Sequence, residues 1–293
     1  MIVAGSLRAN GRGLPLQFGD YSAVVTTVGA GLARLTHAAV DLVHPFDLTR
    51  VPAAYEGKVL APWPNRVRDG RWSWEGREHL LPISERTTGN ALHGLACWQD
   101  WQVGARSAES VILHTTLPAQ PGYPFRLELE AHYRLDPTGL TVTLVAMNDG
   151  VAPAPVGLGL HPYLTVGGAR IDELTLEFAA SAMLAVDERG LPAGEGAPDP
   201  DFTQPRLIGA TTIDNPFRMP GPWAARLRSD RGGVELRSDS AWAHLYTGEL
   251  IGRRGLAVEP TTCPPDAFNS GEDLLVLGPG AEARLSCRIA ALA

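Results

Sequence analysis

Alternation of apolar and polar positions is clearest at residues 125–135. Phe125, Leu127, Leu129, Ala131, Tyr133 and Leu135 interleave with Arg126, Glu128, Glu130, His132 and Arg134. Successive side chains on a strand point to opposite faces, so the pattern predicts a strand with one buried and one solvated face. Asp136-Pro137-Thr138-Gly139 follows with turn chemistry. Residues 140–147 are rich in β-branched side chains, and Asn148-Asp149-Gly150 closes them with a second turn signal. The two runs predict an antiparallel hairpin.

Shorter runs of the same kind recur at 24–28, 111–117, 174–178, 234–236, 242–247 and 283–289. No stretch carries a sustained 3.6-residue period with capping residues, so helices are expected to be few and short. Residues 191–205, rich in Pro and Gly, read as a surface loop. With 32 Gly and 24 Pro spread along the chain, frequent turns between short strands predict an all-β fold. The expected architecture is a large antiparallel β-sandwich, a single domain over 1–293.

Composition narrows the function. The 293 residues are 44% hydrophobic and 19% charged, with a net charge of −7. That balance, without any Lys/Arg cluster, argues against nucleic acid or an anionic membrane as partner. The N-terminal residues show no basic segment followed by a long apolar run, and no apolar stretch is long enough to span a bilayer. Cys97, Cys263 and Cys287 are odd in number and widely spaced, which suits a reducing, cytoplasmic setting better than a disulfide framework or a metal site. A monomer and a homodimer are both compatible with these features.

Candidate chemistry lies in five polar clusters set among Gly, Pro and aromatic residues. In Ala61-Pro62-Trp63-Pro64-Asn65-Arg66 two prolines stiffen the backbone beside an Arg fork suited to hydroxyl groups. Asn90-Ala91-Leu92-His93-Gly94 and Gly159-Leu160-His161-Pro162-Tyr163 each present one His, which alone is as compatible with a structural role. Val258-Glu259-Pro260, followed by Pro265-Asp266-Ala267-Phe268-Asn269, places a carboxylate after an apolar run, where it needs a partner or a function. Asp214-Asn215-Pro216-Phe217 reads equally as an Asx turn. Trp63, Trp72 and Phe217 are candidates for stacking on a ligand or for the core.

In this order the clusters resemble the aldose 1-epimerase (galactose mutarotase) family over most of the chain. The resemblance implies a sandwich fold, a small-molecule sugar as substrate, and interconversion of α and β anomers without metal or cofactor. It implies His161 as general acid, Glu259 as general base, His93 near the ring oxygen or the anomeric end, and Arg66, Asn65 and Asp214 on substrate hydroxyls. Two departures stand out: Pro62-Trp63-Pro64-Asn65-Arg66 replaces a common Gly-Arg-x-x-Asn-Arg pattern, and Glu259-Pro260-Thr261 replaces Glu-Thr-Gln. The first is similar to a bacterial subgroup that includes relatives acting on sulfoquinovose. Three rivals remain: a two-His-one-carboxylate metal site from His93, His161 and Glu259; a glycosidase pairing Glu259 with Asp214 or Asp266; and a sugar-binding protein without turnover.

Overall fold

A computed structural model describes residues 8–292. Its largest element is a nine-stranded antiparallel sheet whose third and fourth strands are the expected hairpin, Leu127–Asp136 with Gly139–Asn148. The register puts Leu129 opposite Ala146 and Ala131 opposite Leu144, and Leu144 in turn opposite Leu285 of Glu282–Leu292. Residues directly opposite share a face, so the apolar set of each strand joins one buried layer. Glu128, Glu130 and His132 fall on the other face, as the alternation requires.

The second sheet has eight strands. Its path runs Pro192–Gly196, Ala182–Val186, Asp214–Arg218, Trp242–Tyr246, Leu256–Thr261, Gly159–Leu160 and Val59–Leu60, with Tyr163–Leu164 also pairing with Leu256–Thr261. Both sheets contribute to one core cluster that includes Leu129, Tyr133, Leu144, Leu236, Leu245, Val258 and Leu285. A four-stranded sheet from Gly13–Phe18 to Val40–Asp41 packs into the same core. Among the described residues the α-helix is limited to Ala267–Ser270.

One expectation changes, and one open alternative is decided. Residues 191–205 are not a plain loop: Pro192–Gly196 and Phe202–Leu207 are strands, one at an edge of each large sheet. Edge strands need fewer ladder bonds and little apolar surface, so Pro and Gly are tolerated there and the usual alternation is missing. Trp63, Trp72 and Phe217 are core residues, each no more than 3% exposed.

Leu256–Thr261 is buried along its whole length, and it prepares the site. Leu256 and Val258 belong to the main core, while Ala257 packs with Tyr163 on the opposite face. Glu259, two residues after Ala257, shares that second face. It sits within the strand rather than at its end. Pro260 fits because the neighbouring ladder is broken there. The Val258 N–H donates to the Pro162 carbonyl at 3.1 Å, and residue 260 faces the same way, toward the gap between Gly159–Leu160 and Tyr163–Leu164. His161 occupies that gap.

Candidate active site

A cavity of about 160 Å³ opens on this face, and its walls include Tyr55, Asn65, Arg66, Glu85, His93, His161, Tyr163, Asp214, His244, Tyr246 and Glu259. The fold therefore brings together all six residues singled out in the sequence: Asn65, Arg66, His93, His161, Asp214 and Glu259. A larger open groove of about 590 Å³, lined by Trp223, Arg226, Arg237 and Arg288, contains none of them.

His161 and Glu259 form the deepest pair. Nε2 of His161 lies 3.3 Å from Oε1 of Glu259, and both side chains are almost fully buried. Nδ1 of His161 and Oε2 of Glu259 have no hydrogen-bond partner in the protein. The His161 backbone is pinned on both sides: its N–H donates to the Lys58 carbonyl at 3.1 Å, and its carbonyl accepts from the Gly57 N–H at 2.8 Å. Burial, reinforced by His244, pushes the His161 pKa down to about 3. Burial and the charge of Asp214 hold Glu259 well above the usual carboxylate range, against the pull of Arg66. An imidazolium beside a carboxylate, the natural expectation for exposed groups at neutral pH, is disfavoured here on both sides: the imidazole is pushed toward its neutral form and the carboxyl toward its protonated one. A low-dielectric cavity disfavours both charges.

The second His is set by Asn65. The Asn65 backbone N–H donates to Nδ1 of His93 at 3.1 Å, which leaves Nε2 as the N–H of the neutral ring. Burial, then His161, then Arg66 hold the His93 pKa well below 6.5. Both residues have left-handed backbones, with φ of 54° at Asn65 and 61° at His93. Such conformations cost energy in non-glycine residues and concentrate at functional sites. Gly94 is required beside them: its φ is +77°, and a Cβ there would lie 2.1 Å from the Ala61 carbonyl oxygen.

A charged network forms the remaining wall. Arg66 donates through Nε and Nη2 to the two oxygens of Glu85 at 2.8 and 2.9 Å, and Nη2 lies 3.9 Å from Oδ2 of Asp214. Burial works against the guanidinium charge, but Glu85 and Asp214 more than offset it and its pKa rises. His244 completes the wall: Nε2 lies 2.7 Å from Oδ1 of Asp214, and Nδ1 lies 3.3 Å from Nδ2 of Asn65. With the amide donating to Nδ1, Nε2 carries the proton toward Asp214. Burial would raise the Asp214 pKa, yet the hydrogen bond from His244, then the charge of Arg66, bring it below 3.8.

Sequence reasoning missed His244, Glu85 and Tyr55. His244 had a signal: His244 and Tyr246 alternate with Ala243 and Leu245, a polar face on an otherwise apolar strand. His244 stands directly opposite Glu259 in the register. Glu85 and Tyr55 lie in loops and carried none. Asp266, a rival carboxylate, is not in the cavity wall. It accepts from the Arg68 N–H at 2.9 Å and from Asn269 at 2.7 Å, clamping the segment that carries Arg66.

His93, His161 and Glu259 also have the residue types of a metal triad, and their ligand atoms lie within 4.8 Å of one another. Atoms sharing a tetrahedral ion with bonds of ~2.0–2.1 Å lie roughly 3.3 Å apart. The set would have to contract to hold one.

A buried His–Glu pair beside an Arg–Asp wall, in the face of a β-sandwich, is an arrangement suited to acid–base chemistry on a polar ligand. The chain belongs to the aldose 1-epimerase family, whose profile matches residues 14–290. It is 42% identical over 287 residues to the uncharacterized protein YihR of Escherichia coli K12, covering 96% of this chain and 93% of YihR. It is 31% identical over 243 residues to galactose mutarotase of Bos taurus, covering 73% and 69%. The crystal structure of a GalM/aldose epimerase homologue from C. elegans superposes with a TM-score of 0.85 over 96% of this chain and 98% of that one, at 20% identity. No helix among the described residues is long and apolar enough to cross a membrane.

Proposed function

We propose that this protein is a mutarotase that interconverts the α and β anomers of a hexose or a related aldose. The observation that carries the reading is the His161–Glu259 pair: two titratable groups 3.3 Å apart, each with an unpartnered buried atom, in the wall of a cavity of about 160 Å³. The pair holds one proton, and mutarotation consumes none overall.

The chemistry balances as follows. Glu259 as carboxylate takes the proton from the C1 hydroxyl. The C1–ring-oxygen bond breaks as C1–O1 becomes a carbonyl, and His161 as imidazolium gives its proton to the departing ring oxygen. The open aldehyde then rotates about C1–C2. The ring oxygen attacks the other face, returning its proton to His161, while Glu259 returns one to O1. Ring opening leaves Glu259 protonated and His161 neutral, the state that burial favours. The dry site thus stabilises the proton arrangement of the open-chain stage more than that of the charged pair. General acid and general base each contribute ~10²–10⁴-fold, so the two account for most of a modest acceleration.

Asp214, held ionised by His244 and Arg66, accepts from sugar hydroxyls, and His93 offers its Nε2 proton to a sugar oxygen. The sugar itself is left open between glucose, galactose and a modified sugar such as sulfoquinovose. Anomer exchange followed by NMR, starting from pure α-D-glucose, α-D-galactose and a sulfonated glucose, tests the reading. Faster approach to the same equilibrium supports it. Sugar binding without acceleration by folded protein would replace it with a carbohydrate-binding role.

A further inference from the structure

Lys58 is the sole lysine of the chain, against 24 arginines. It is also fully buried. A chain that uses Arg everywhere else keeps a Lys at one of its driest positions, which calls for a physical reason.

The surroundings supply one. The ammonium donates to Oδ1 of Asn10 at 2.8 Å and to the Val28 carbonyl at 2.7 Å. It also lies over the rings of Trp98, at 5.2 Å, and Phe46, at 5.5 Å. Two hydrogen bonds and two ring faces satisfy a compact tetrahedral cation with three protons. A planar guanidinium brings five N–H donors and would leave several unpaired at a position this buried. Burial lowers the Lys58 pKa to about 8, with Cys97 and Glu56 opposing the shift, so the ammonium is retained at neutral pH.

Two of these contacts, Trp98 and Asn10, lead to the candidate site. Trp98 packs on Tyr55 with ring centroids 5.3 Å apart, and Tyr55 sits edge-on to His93 at 4.7 Å and stacks above His161 at 6.5 Å. Asn10 donates to the Arg50 carbonyl at 2.6 Å, which fixes the segment leading to Ala53, Ala54 and Tyr55 on the cavity wall. The Lys58 backbone closes the loop: its N–H donates to the Tyr55 carbonyl at 3.0 Å, and its carbonyl accepts from His161.

We infer that Lys58 is a positioning residue for the acid–base site: its ammonium holds Trp98, and through it Tyr55, as the aromatic wall that keeps His93 and His161 oriented and dry. The inference rests on the mutarotase reading for its kinetic consequence, but not for its structural one. Trp98 is 43% exposed, so Trp98→Ala leaves the core intact and tests the wall even if Lys58 variants fail to fold.

Lys58→Met, Lys58→Arg and Trp98→Ala are compared with wild type by anomer exchange and by NMR titration of the His93 and His161 rings. The expected result is a kcat roughly tenfold lower in Lys58→Met and Trp98→Ala with a smaller change in KM, within the ~100-fold that a 1 Å misplacement can cost. The double variant should lose little more than either single one. Lys58→Arg should not rescue. Both imidazole midpoints should move up toward the ordinary range in Trp98→Ala, a readout that does not need turnover. Ring titrations in Trp98→Ala identical to wild type would overturn the inference, whether or not the protein exchanges anomers. Wild-type protein that shows the ring shifts but no anomer exchange would instead sink the mutarotase reading and leave the wall in place.

Discussion

The Asn65 backbone N–H donates to Nδ1 of His93 while the Asn65 side chain reaches Nδ1 of His244. One residue in a left-handed conformation therefore sets the tautomers of two histidines on different walls of the cavity. His244 passes that constraint to Asp214. The Asn65-Arg66 segment that follows Pro64 is thus the frame on which both histidine walls of the cavity are aligned, and the sites of useful substitutions follow from it.

Glu259→Gln should lower kcat by about 10²–10⁴-fold, since it removes the base while keeping the shape. It should also change stability in a defined direction. The folded-state pKa of Glu259 is raised, so above the unfolded value the folded protein binds more protons than the unfolded chain, and stability falls as pH rises through that window. Gln removes the titration. At pH above 7 the variant should melt higher than wild type, and the difference should shrink toward pH 4.5. A variant that melts lower at every pH would contradict the buried, raised carboxyl.

The pH profile of kcat/KM should show no loss of activity on the acid side near 6.5, the ordinary imidazole value. Turnover needs one proton on the pair, which persists between the His161 value of about 3 and the raised Glu259 value. Activity should hold on the acid side down toward the His161 value and fall on the alkaline side where the shared proton leaves Glu259, well above the ordinary carboxylate range. A loss of activity on acidification centred near 6.5 would show that His161 titrates as if exposed.

His244→Phe should raise KM more than it lowers kcat. It removes the donor to Asp214 and the acceptor for Asn65, each a hydrogen bond worth ~1–2 kcal/mol when buried or charged, or roughly 5–30-fold in KM. Asp214→Asn should behave similarly, and the two together should be less than additive because they share one bond. Steady-state anomer exchange across sugar concentrations separates the two constants.

Exhaustive chelation followed by metal analysis should leave the exchange rate unchanged, because two groups already in the protein do the proton work. Loss of activity on chelation with recovery on adding zinc would convert His93, His161 and Glu259 into a metal triad and overturn the acid–base account.

What the chain alone determined is local and periodic. The alternation at residues 125–135 gives an interior strand of the large sheet, its buried layer and its turn, because a period of two can bury one face only as a strand. The Pro- and Gly-flanked clusters marked Arg66, His93, His161, Asp214 and Glu259 because polar groups there need a turn or a ligand to justify them. Tertiary structure decided the rest. Lys58, His244 and Glu85 acquire their roles from partners far away in sequence, which no spacing rule reaches. The charge states of His161 and Glu259 could not be read from residue type, because depth of burial and the opposing charges around a pair set them. The strands within 192–207 were hidden for the converse reason: at a sheet edge backbone pairing suffices, and side chains need not alternate.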